Sequence, residues 1–191
     1  TATSQEINDI DAITPFHENL AAIQKGNQWA FINNEGKIII DYRGDLVFGN
    51  ISDELGVASI NYPFFNENRC LIKKKINGIT YYGFIDKSGK VVIEPQFLNA
   101  TNFKNGYALV IKFEENIIGS NEVLGKKLIN NKLEEYVIDV NGKLIKYLEN
   151  PRNCIPSEIT KECNPKFESK FIAPHLAAVK GKNLKWKIFK F

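Results

Sequence analysis

Short apolar runs alternate with polar turns along this chain, and three of these units repeat one pattern. The three segments are AFINNEGKIII (residues 30–40), GFIDKSGKVVI (83–93) and YVIDVNGKLIK (136–146), and each begins 53 residues after the previous one. In each, an apolar pair is followed by Asp or Asn, two variable residues, a Gly-Lys pair and a second apolar run. Runs rich in Ile, Val, Phe and Tyr on both sides of a glycine turn predict β-hairpins.

The turn of each predicted hairpin has residues suited to a tight loop. A short Asn or Asp side chain at the first turn position can accept a hydrogen bond from the backbone two residues on; these residues are Asn33, Asp86 and Asp139. Glycine at the fourth position suits a type I turn followed by a left-handed residue, so we expect positive φ there. These glycines are Gly36, Gly89 and Gly142.

A second element precedes each hairpin and consists of a Phe, a few loop-forming residues, a small residue and two apolar ones. It occurs at residues 16–23, 65–72 and 103–110. This pattern predicts a turn that enters a strand. A partial fourth copy begins at His175, where His-Leu-Ala-Ala-Val resembles the Asn-Leu-Ala-Ala-Ile of the first copy, and Trp186 follows it at nearly the spacing of Trp29.

The alignment of the copies predicts which residues form the core. One set of equivalent buried positions is Phe31, Phe84 and Val137, and another is Ala21, Cys70 and Ala108. A third position is aromatic, at Trp29, Tyr82 and Trp186. The alternation Lys-Trp-Lys-Ile at residues 185–188 is typical of a strand with one wet face. We expect Trp186 to point inward, because it takes the structural position of the repeat.

These residues resemble the repeats of WG-repeat proteins, a family widespread in bacteria. The segment YGFIDKSGKVVIEPQF, residues 82–97, matches the family pattern best, whereas the Trp-Gly pair itself is degenerate: Trp29-Ala30, Tyr82-Gly83, Glu135-Tyr136 and Trp186-Lys187. The resemblance covers most of residues 16–147 and, weakly, 175–191. It implies a β-rich repeat protein with interaction roles and no shared chemistry.

The predicted fold is all-β, a single domain over residues 1–191 built from about four degenerate hairpin repeats. The repeats span approximately residues 16–64, 65–102, 103–147 and 171–191. We expect an open solenoid or curved sheet, and the alternative is a small propeller-like closure. Two segments depart from the pattern: residues 113–132 form a long loop or an extra hairpin, and residues 148–170 form a connection that contains Pro and Cys.

Composition and charge indicate which classes of partner the chain binds. No apolar run is long enough to cross a bilayer as a helix. The net charge of +3 is uneven, with −6 over residues 1–60 and +6 over residues 151–191. Such asymmetry indicates either a surface for nucleic acid or an acidic partner, or two ends that neutralise each other. Because lysine outnumbers arginine 22 to 3 and arginine is the usual reader of bases and phosphates, nucleic-acid binding is disfavoured.

The three cysteines give an indication of the cellular compartment in which the protein folds. Cys154 and Cys163 lie nine residues apart in a loop that contains prolines, and we predict a disulfide between them, which indicates an oxidising compartment. The alternative is two thiols in a cytoplasmic protein. Cys70 is expected to be a free thiol in the core. Because the spacing lacks the paired Cys or His ligands that zinc requires, we predict no metal and no cofactor.

The sequence shows no catalytic constellation, so the chain is predicted not to be an enzyme. The catalytic serine, phosphate-loop and zinc-protease motifs are absent. His17 and His175 are both explained by their places in the repeat. Two carboxylate pairs could support acid–base chemistry, but we expect them on a solvated turn or insert rim; these pairs are Glu114-Glu115 and Glu134-Glu135.

The function predicted from these features is protein–protein interaction by a monomeric, extracytoplasmic bacterial repeat protein. An inhibitor or toxin-neutralising immunity protein is one specific form; the alternatives are a structural cell-surface or lipoprotein-type component and, third, an enzyme of unknown class. Exposed loops on a rigid scaffold concentrate recognition, so we expect an acidic protein surface to dock near the insert and the last strand. The predicted contact residues are Glu114, Glu115, Lys126, Lys127, Lys185 and Lys187.

Overall fold

The computed structural model describes residues 6–48, 62–121, 125–154 and 165–191, and in these residues all regular structure is β-strand. The strands are β1 (Ala12–Ile13), β2 (Ala21–Lys25), β3 (Gln28–Ile32), β4 (Ile38–Arg43), β5 (Cys70–Ile76), β6 (Ile79–Ile85), β7 (Val91–Phe97), β8 (Asn99–Ala100), β9 (Tyr107–Asn121), β10 (Lys126–Asp139), β11 (Leu144–Tyr147), β12 (Arg152–Asn153), β13 (Ser169–Ala173), β14 (Leu176–Lys180) and β15 (Trp186–Lys190). The predicted all-β class is confirmed. Across the described ranges, no helix has the length and apolar character that crossing a membrane requires.

The strands form four antiparallel sheets that follow one another along the chain. The first has the order β1-β2-β3-β4 and the second β5-β6-β7. The third has the order β11-β10-β9-β8, with β12 also paired to β10, and the fourth has the order β13-β14-β15. Leu46, just after the first sheet, makes an isolated bridge to Ile72 of β5. In each unit, therefore, a short extended segment flanks a hairpin of two strands.

The strand registers place the repeated residues at one position of this plan. Phe31 pairs with Ala22, Phe84 with Leu71 and Val137 with Leu109. By the same register Ile188, opposite Ala178, holds this position in the fourth sheet. Phe31, Phe84 and Val137 are 0–1% exposed, and so are Ala21, Cys70 and Ala108 at the neighbouring position.

Each sheet packs on the next through a shared apolar cluster. We call the side of a sheet that packs on the following sheet its forward face, and the opposite side its backward face. The forward face of the first sheet contributes Trp29 and Phe31 to a cluster with Phe65, Cys70 and Ile72 of the second unit. The second and third units share a cluster that includes Phe84, Phe97, Phe103, Val110 and Ile138, and the third and fourth share Leu109, Val137, Leu148, Ala177, Val179 and Phe189.

The glycine turns are part of these joints. Gly36, Gly89 and Gly142 have φ of 75°, 82° and 80°, a left-handed backbone that glycine adopts without a Cβ penalty. A Cβ on Gly89 would lie 3.2 Å from Ile40 Cγ2, and one on Gly142 would lie 3.2 Å from Ile93 Cγ1. Because Ile40 and Ile93 are also 53 residues apart, the period of the sequence is the period of the packing joint.

The turns that enter β2, β5 and β9 are hydrogen-bonded to one another, and we call them the entry turns. Glu18 of the first entry turn accepts hydrogen bonds from the amides of Glu67 (2.6 Å) and Asn68 (3.0 Å) in the second. Glu67 in turn accepts one from the amide of Gly106 (2.6 Å) in the third. Burial raises the pKa of Glu18, but the hydrogen bonds from Asn68, Lys87 and Glu67 outweigh burial, so the pKa lies below its ordinary value.

All three arginines of the chain donate to a distant backbone carbonyl. Arg43 Nη1 donates to Gly89 O (3.0 Å) while its Nε and Nη2 bind Asp45. Arg69 Nε donates to Val140 O (2.9 Å), and Arg152 Nη1 donates to Lys166 O (2.9 Å). The first two carbonyls lie in or beside the glycine turns of the following units, so these guanidinium groups hold the joints together.

The insert in the third repeat continues the two strands around it. Residues 113–121 lie in β9 and residues 126–132 in β10, and the two pair with each other over this length. We call this projection the arm; of the two predicted forms, it is the extra hairpin. In the connection at 148–170, Arg152 and Asn153 pair with β10 as β12, and residues 155–164 lie outside the described ranges.

Candidate partner-binding surface

The outer side of the first sheet is covered by the chain itself. Its backward face presents a cluster of buried residues: Ala21, Ile23, Ala30 and Ile32. Ile7 and Ile10, from the segment before β1, pack against this cluster together with Ile38 and Tyr42. The first sheet therefore has apolar neighbours on both faces.

The side of the fourth sheet that corresponds by register to the forward faces of the other sheets carries large apolar side chains, and no further described unit packs on it; we call it the terminal face. Ile188 and Trp186 on β15 lie opposite Ala178 and Lys180 on β14. The side chain of Ile188 is 62% exposed and that of Trp186 is 53% exposed. Ile172 of β13, which is also exposed, lies beside Phe171, a residue that packs into the joint with the third sheet. Large apolar residues therefore lie in water at the positions that pack in the other sheets.

The prediction that Trp186 points inward is wrong. Trp29, at the equivalent position, is 6% exposed because it belongs to the cluster that contains Leu46 together with Phe65 and Ile72 of the following unit. Its ring also makes an edge contact with Phe48, at 5.9 Å between centroids. Among the described residues, no following unit packs on the fourth sheet. Trp186 therefore has the same register as Trp29, but no neighbouring unit buries its side chain.

Lysines surround the apolar centre of the terminal face. Lys170 Nζ lies 4.9 Å from the centroid of the Trp186 ring, a cation–π contact. Lys180 pairs with Trp186, and Lys190 with Leu176, so both side chains emerge on the same side of the sheet. Residues 165–191 contain seven lysines and one glutamate. An aromatic and aliphatic centre within a charged rim has the anatomy of a protein interface.

The joint behind the terminal face is polar, because Glu135 replaces the aromatic residue in the third repeat. Glu135 is fully buried and accepts hydrogen bonds from Arg152 Nη2 (2.9 Å) and the amide of Glu168 (2.9 Å). Ser169 Oγ donates to its other oxygen. The prediction that the Glu134-Glu135 pair lies on a solvated rim is therefore wrong for Glu135, which is satisfied in the core as a buried carboxylate requires.

The second carboxylate of that pair also has partners. Glu134 accepts from the hydroxyl of Tyr136 (2.6 Å) and, at 3.5 Å, from that of Tyr147. Burial and the hydrogen bond to Glu134 raise the pKa of Tyr136. These phenols therefore stay protonated at neutral pH as donors to the carboxylate, and the cluster ties β10 to β11.

A cavity of about 540 Å³ lies between the third and fourth sheets. Its lining includes Asn150, Arg152 and Lys187. Lys187 pairs with Glu149 on the wall, and this hydrogen bond and its charge lower the pKa of Glu149. The two polar side-chain atoms of Asn150 and Arg152 Nε are buried without a hydrogen-bond partner. Of its charged lining residues, Arg152 is paired with Glu135, and Lys187 is paired with Glu149.

The residues predicted to contact a partner fall into two groups. Four lie on the arm: Glu114, Glu115, Lys126 and Lys127. Glu114 pairs with Lys112 at 3.0 Å, while Glu115 is exposed. The other two, Lys185 and Lys187, belong to the fourth sheet and its turn, and Lys187 is on the side of the cavity. Sequence reasoning missed Ile188 and Ile172, although the match of Ile188 to Phe31 was available.

The cysteines and histidines lie in structural settings. Cys70 is buried, which raises the pKa of its thiol to about 12. Cys154 is half-buried beside Leu98 and Ile111, and because Cys163 lies outside the described residues the disulfide stays a prediction.

His17 Nδ1 lies 2.6 Å from Phe65 O, and the His175 ring lies 5.3 Å from that of Tyr107. No group of three or more His, Cys, Asp or Glu residues in the described ranges could hold a metal ion.

One known family matches two stretches of the chain. The WG-containing repeat family matches residues 9–29 and 82–112. The first stretch ends at Trp29, and the second begins at Tyr82, the equivalent residue of the next sheet. No curated protein and no solved structure matches the chain significantly.

Proposed function

We propose that this chain, which carries degenerate WG-containing repeats, is a non-catalytic interaction protein that binds a protein partner at its terminal face. One observation carries the proposal. The position that is at most 1% exposed in three sheets, at Phe31, Phe84 and Val137, is 62% exposed at Ile188. Exposed apolar side chains at positions built to pack are the signature of a surface that another molecule covers.

The charge of this surface defines the chemistry of the partner. Lys170, Lys180 and Lys190 emerge on the terminal face, and an acidic protein surface with an apolar centre complements them. Such complementarity accelerates association and makes the rate fall as salt is added. A single nucleic-acid strand could stack on Trp186, but all three arginines are engaged in structural bridges, so the protein partner is favoured.

We extend the proposal to the cellular location and the biological role of the chain. An extracytoplasmic location and an inhibitor or immunity-type role agree with a small, rigid repeat protein that presents a preformed surface. A preformed apolar face with a charged rim binds without a folding cost, which suits tight capture.

The test is partner capture by cross-linking and mass spectrometry with matched surface variants. Trp186→Ser with Ile188→Ser removes the apolar centre. Ile117→Ser is the control, because Ile117 lies on the arm and is 60% exposed, close to the exposure of Ile188. We expect the double variant to lose capture and the control to keep it, with both as stable as the parent chain. The reverse result would place the binding site on the arm and overturn the proposal.

A further inference from the structure

No described strand pairs with the outer edge of β15, whereas the equivalent edge is paired in the other three sheets. β3, β6 and β10 each pair on that side with a further antiparallel strand, namely β4, β7 and β11. In the described residues β15 pairs with β14 alone. An open edge is a row of unpaired amides and carbonyls that can template another strand.

The hydrogen-bond pattern shows which groups face this edge. The amide of Gly181 donates to Lys185 O (2.8 Å), and that of Phe191 donates to His175 O (3.1 Å). Because hydrogen-bonded and non-bonded pairs alternate in an antiparallel ladder, the backbone groups of Lys187 and Phe189 also face β14. Those of Trp186 and Ile188 therefore face the open edge. Their side chains lie on the terminal face, so one pair of residues contributes to both surfaces.

The equivalent residues show what this edge pairs with. Phe31 pairs with Ile40 of β4, and Phe84 pairs with Ile93 of β7. In both cases the partner is an isoleucine, buried on the same forward face. A strand that pairs with Ile188 would place an apolar side chain over the terminal face in the same manner.

The outer strands of the other sheets show two registers at the position of Lys187. At this position β7 bulges against Gly83, where a Cβ would lie 2.4 Å from Ile93 O, and β4 also shifts register opposite Ala30, although alanine has a Cβ. In the third sheet this position is Tyr136, and β11 pairs there without a bulge, residue against residue. Because Tyr136 and Lys187 both have long side chains, β11 is the nearer template for the incoming strand.

We propose that β15 is an acceptor for an extended segment of a partner protein, which adds antiparallel to Trp186–Lys190 as an outer strand in the place that β4, β7 and β11 take in the other sheets. This inference rests on the proposed function and specifies its binding mode, β-strand addition. The segment alternates apolar residues, which cover Trp186 and Ile188 on the terminal face, with acidic residues, which fall on the opposite side of the sheet beside Lys185 and Lys187. Backbone pairing supplies affinity, and the alternation supplies specificity.

Hydrogen exchange tests the edge in the chain alone. We expect the amides of Trp186 and Ile188 to exchange rapidly, whereas those of Lys187 and Phe189 are protected by β14. Protection of Trp186 and Ile188 in the free chain would show that the edge is already covered and would overturn the proposal.

The binding mode is tested with the capped peptide Ile-Glu-Ile-Glu-Tyr-Glu-Ile as the probe. Two N-methylated forms of it differ only in which edge is blocked. Methylation of the Ile and Tyr amides blocks the edge that faces β15, and methylation of the Glu amides blocks the other edge. We expect the parent and Glu-methylated peptides to slow exchange at Trp186 and Ile188, and the Ile/Tyr-methylated peptide to have no effect.

The outcomes separate this inference from the proposed function. If both methylated peptides perturb the Trp186 side chain equally and leave backbone exchange unchanged, strand addition is wrong and binding to the terminal face stands. Absence of any perturbation at about 1 mM peptide, the range of the weakest specific binding, overturns the acceptor proposal. Partner capture by the variant Trp186→Ser with Ile188→Ser tests the proposed function separately, whichever result the peptides give.

Discussion

The two ends of this molecule show one repeat position in opposite environments. At the first sheet, Phe31 packs on Phe65 of the next unit, with 4.9 Å between the ring centroids, and Ile7 and Ile10 cover the opposite face. At the fourth sheet, Ile188 holds the position of Phe31 and lies in water. The comparison teaches that a repeat position determines where a side chain lies in its sheet, whereas the neighbouring unit determines whether it is buried.

The joints nearest these ends also differ in chemistry. The first is apolar at its centre, around Trp29. In the third joint the same position is Glu135, neutralised by Arg152 at 2.9 Å. Truncating a side chain in an apolar joint reduces the buried apolar area. Removing one partner of a buried ion pair leaves an unpaired charge in the core.

The largest expected effect comes from truncating the same position at the two ends. Phe31→Ala should lower the free energy of unfolding by about 3–5 kcal/mol, because it leaves a cavity in a packed cluster. Ile188→Ala should change it by less than about 0.5 kcal/mol, because the side chain is exposed. Urea denaturation of both variants measures the difference. Similar losses in the two variants would mean that the terminal face is covered in solution.

The second effect concerns the ionic joint. Arg152→Met should cost about 3 kcal/mol, because Glu135 would remain buried without its cation. Adding Glu135→Gln to this variant removes the stranded charge and should restore part of the loss. Urea denaturation of the two single variants, Arg152→Met and Glu135→Gln, and of the double variant, each compared with the parent chain, gives the coupling between the residues. A double variant no more stable than Arg152→Met would show that packing, and not charge, makes this joint stable.

A smaller effect is expected from uncovering the first sheet. Ile7→Ser with Ile10→Ser should cost about 1–2 kcal/mol, since both side chains are only partly buried. The variant would also have an open apolar face at each end, and complementary faces on one chain allow head-to-tail association. Sedimentation should therefore show association that rises with concentration. Adding Ile188→Lys should suppress it, and association unaffected by this change would contradict the pairing of the two faces.

The smallest effect is the response of the entry turns to acid. Glu18 has a lowered pKa in the folded chain, so its contribution to stability is present above its unfolded pKa of 4.5 and is lost as the pH falls through the folded value. Glu18→Gln should therefore reduce the dependence of the urea midpoint on pH below 4.5. The fourth sheet contacts the third entry turn through the rings of Tyr107 and His175 instead. An unchanged pH profile in Glu18→Gln would show that the Glu18 carboxylate does not stabilise the entry turns.

Local chemistry explains why much of the fold was predictable from the sequence. The glycine of each turn and the apolar runs around it act over a few residues, so the 53-residue period at Gly36, Gly89 and Gly142 predicted hairpins directly. The identity of the repeat followed from Tyr82 and Gly83, and the family match includes both. Burial of Phe84 followed from the alignment of the repeats, which groups it with Phe31 and Val137.

The environment of Trp186 and Glu135 depends on contacts that are distant in sequence. Glu135 is buried because Arg152, 17 residues later, and Ser169, 34 residues later, bind its two oxygens. No local pattern links these three residues, so a Glu-Glu pair looks like a solvated rim. For Trp186, the alignment of the repeats predicted the correct register. Burial at this position also requires a following unit, and an alignment of repeats does not show whether such a unit is present.

The contact of Gly89 with Ile40, repeated by Gly142 with Ile93, has a consequence for how such a chain can change in length. A tandem duplication of one whole unit, such as residues 65–102, would insert a sheet whose turn already fits the isoleucine before it and whose isoleucine already fits the turn after it. A duplication that begins at one point of a unit and ends at a different point of the next would put unrelated residues into the joint. In evolutionary terms, the array grows or shrinks by whole units.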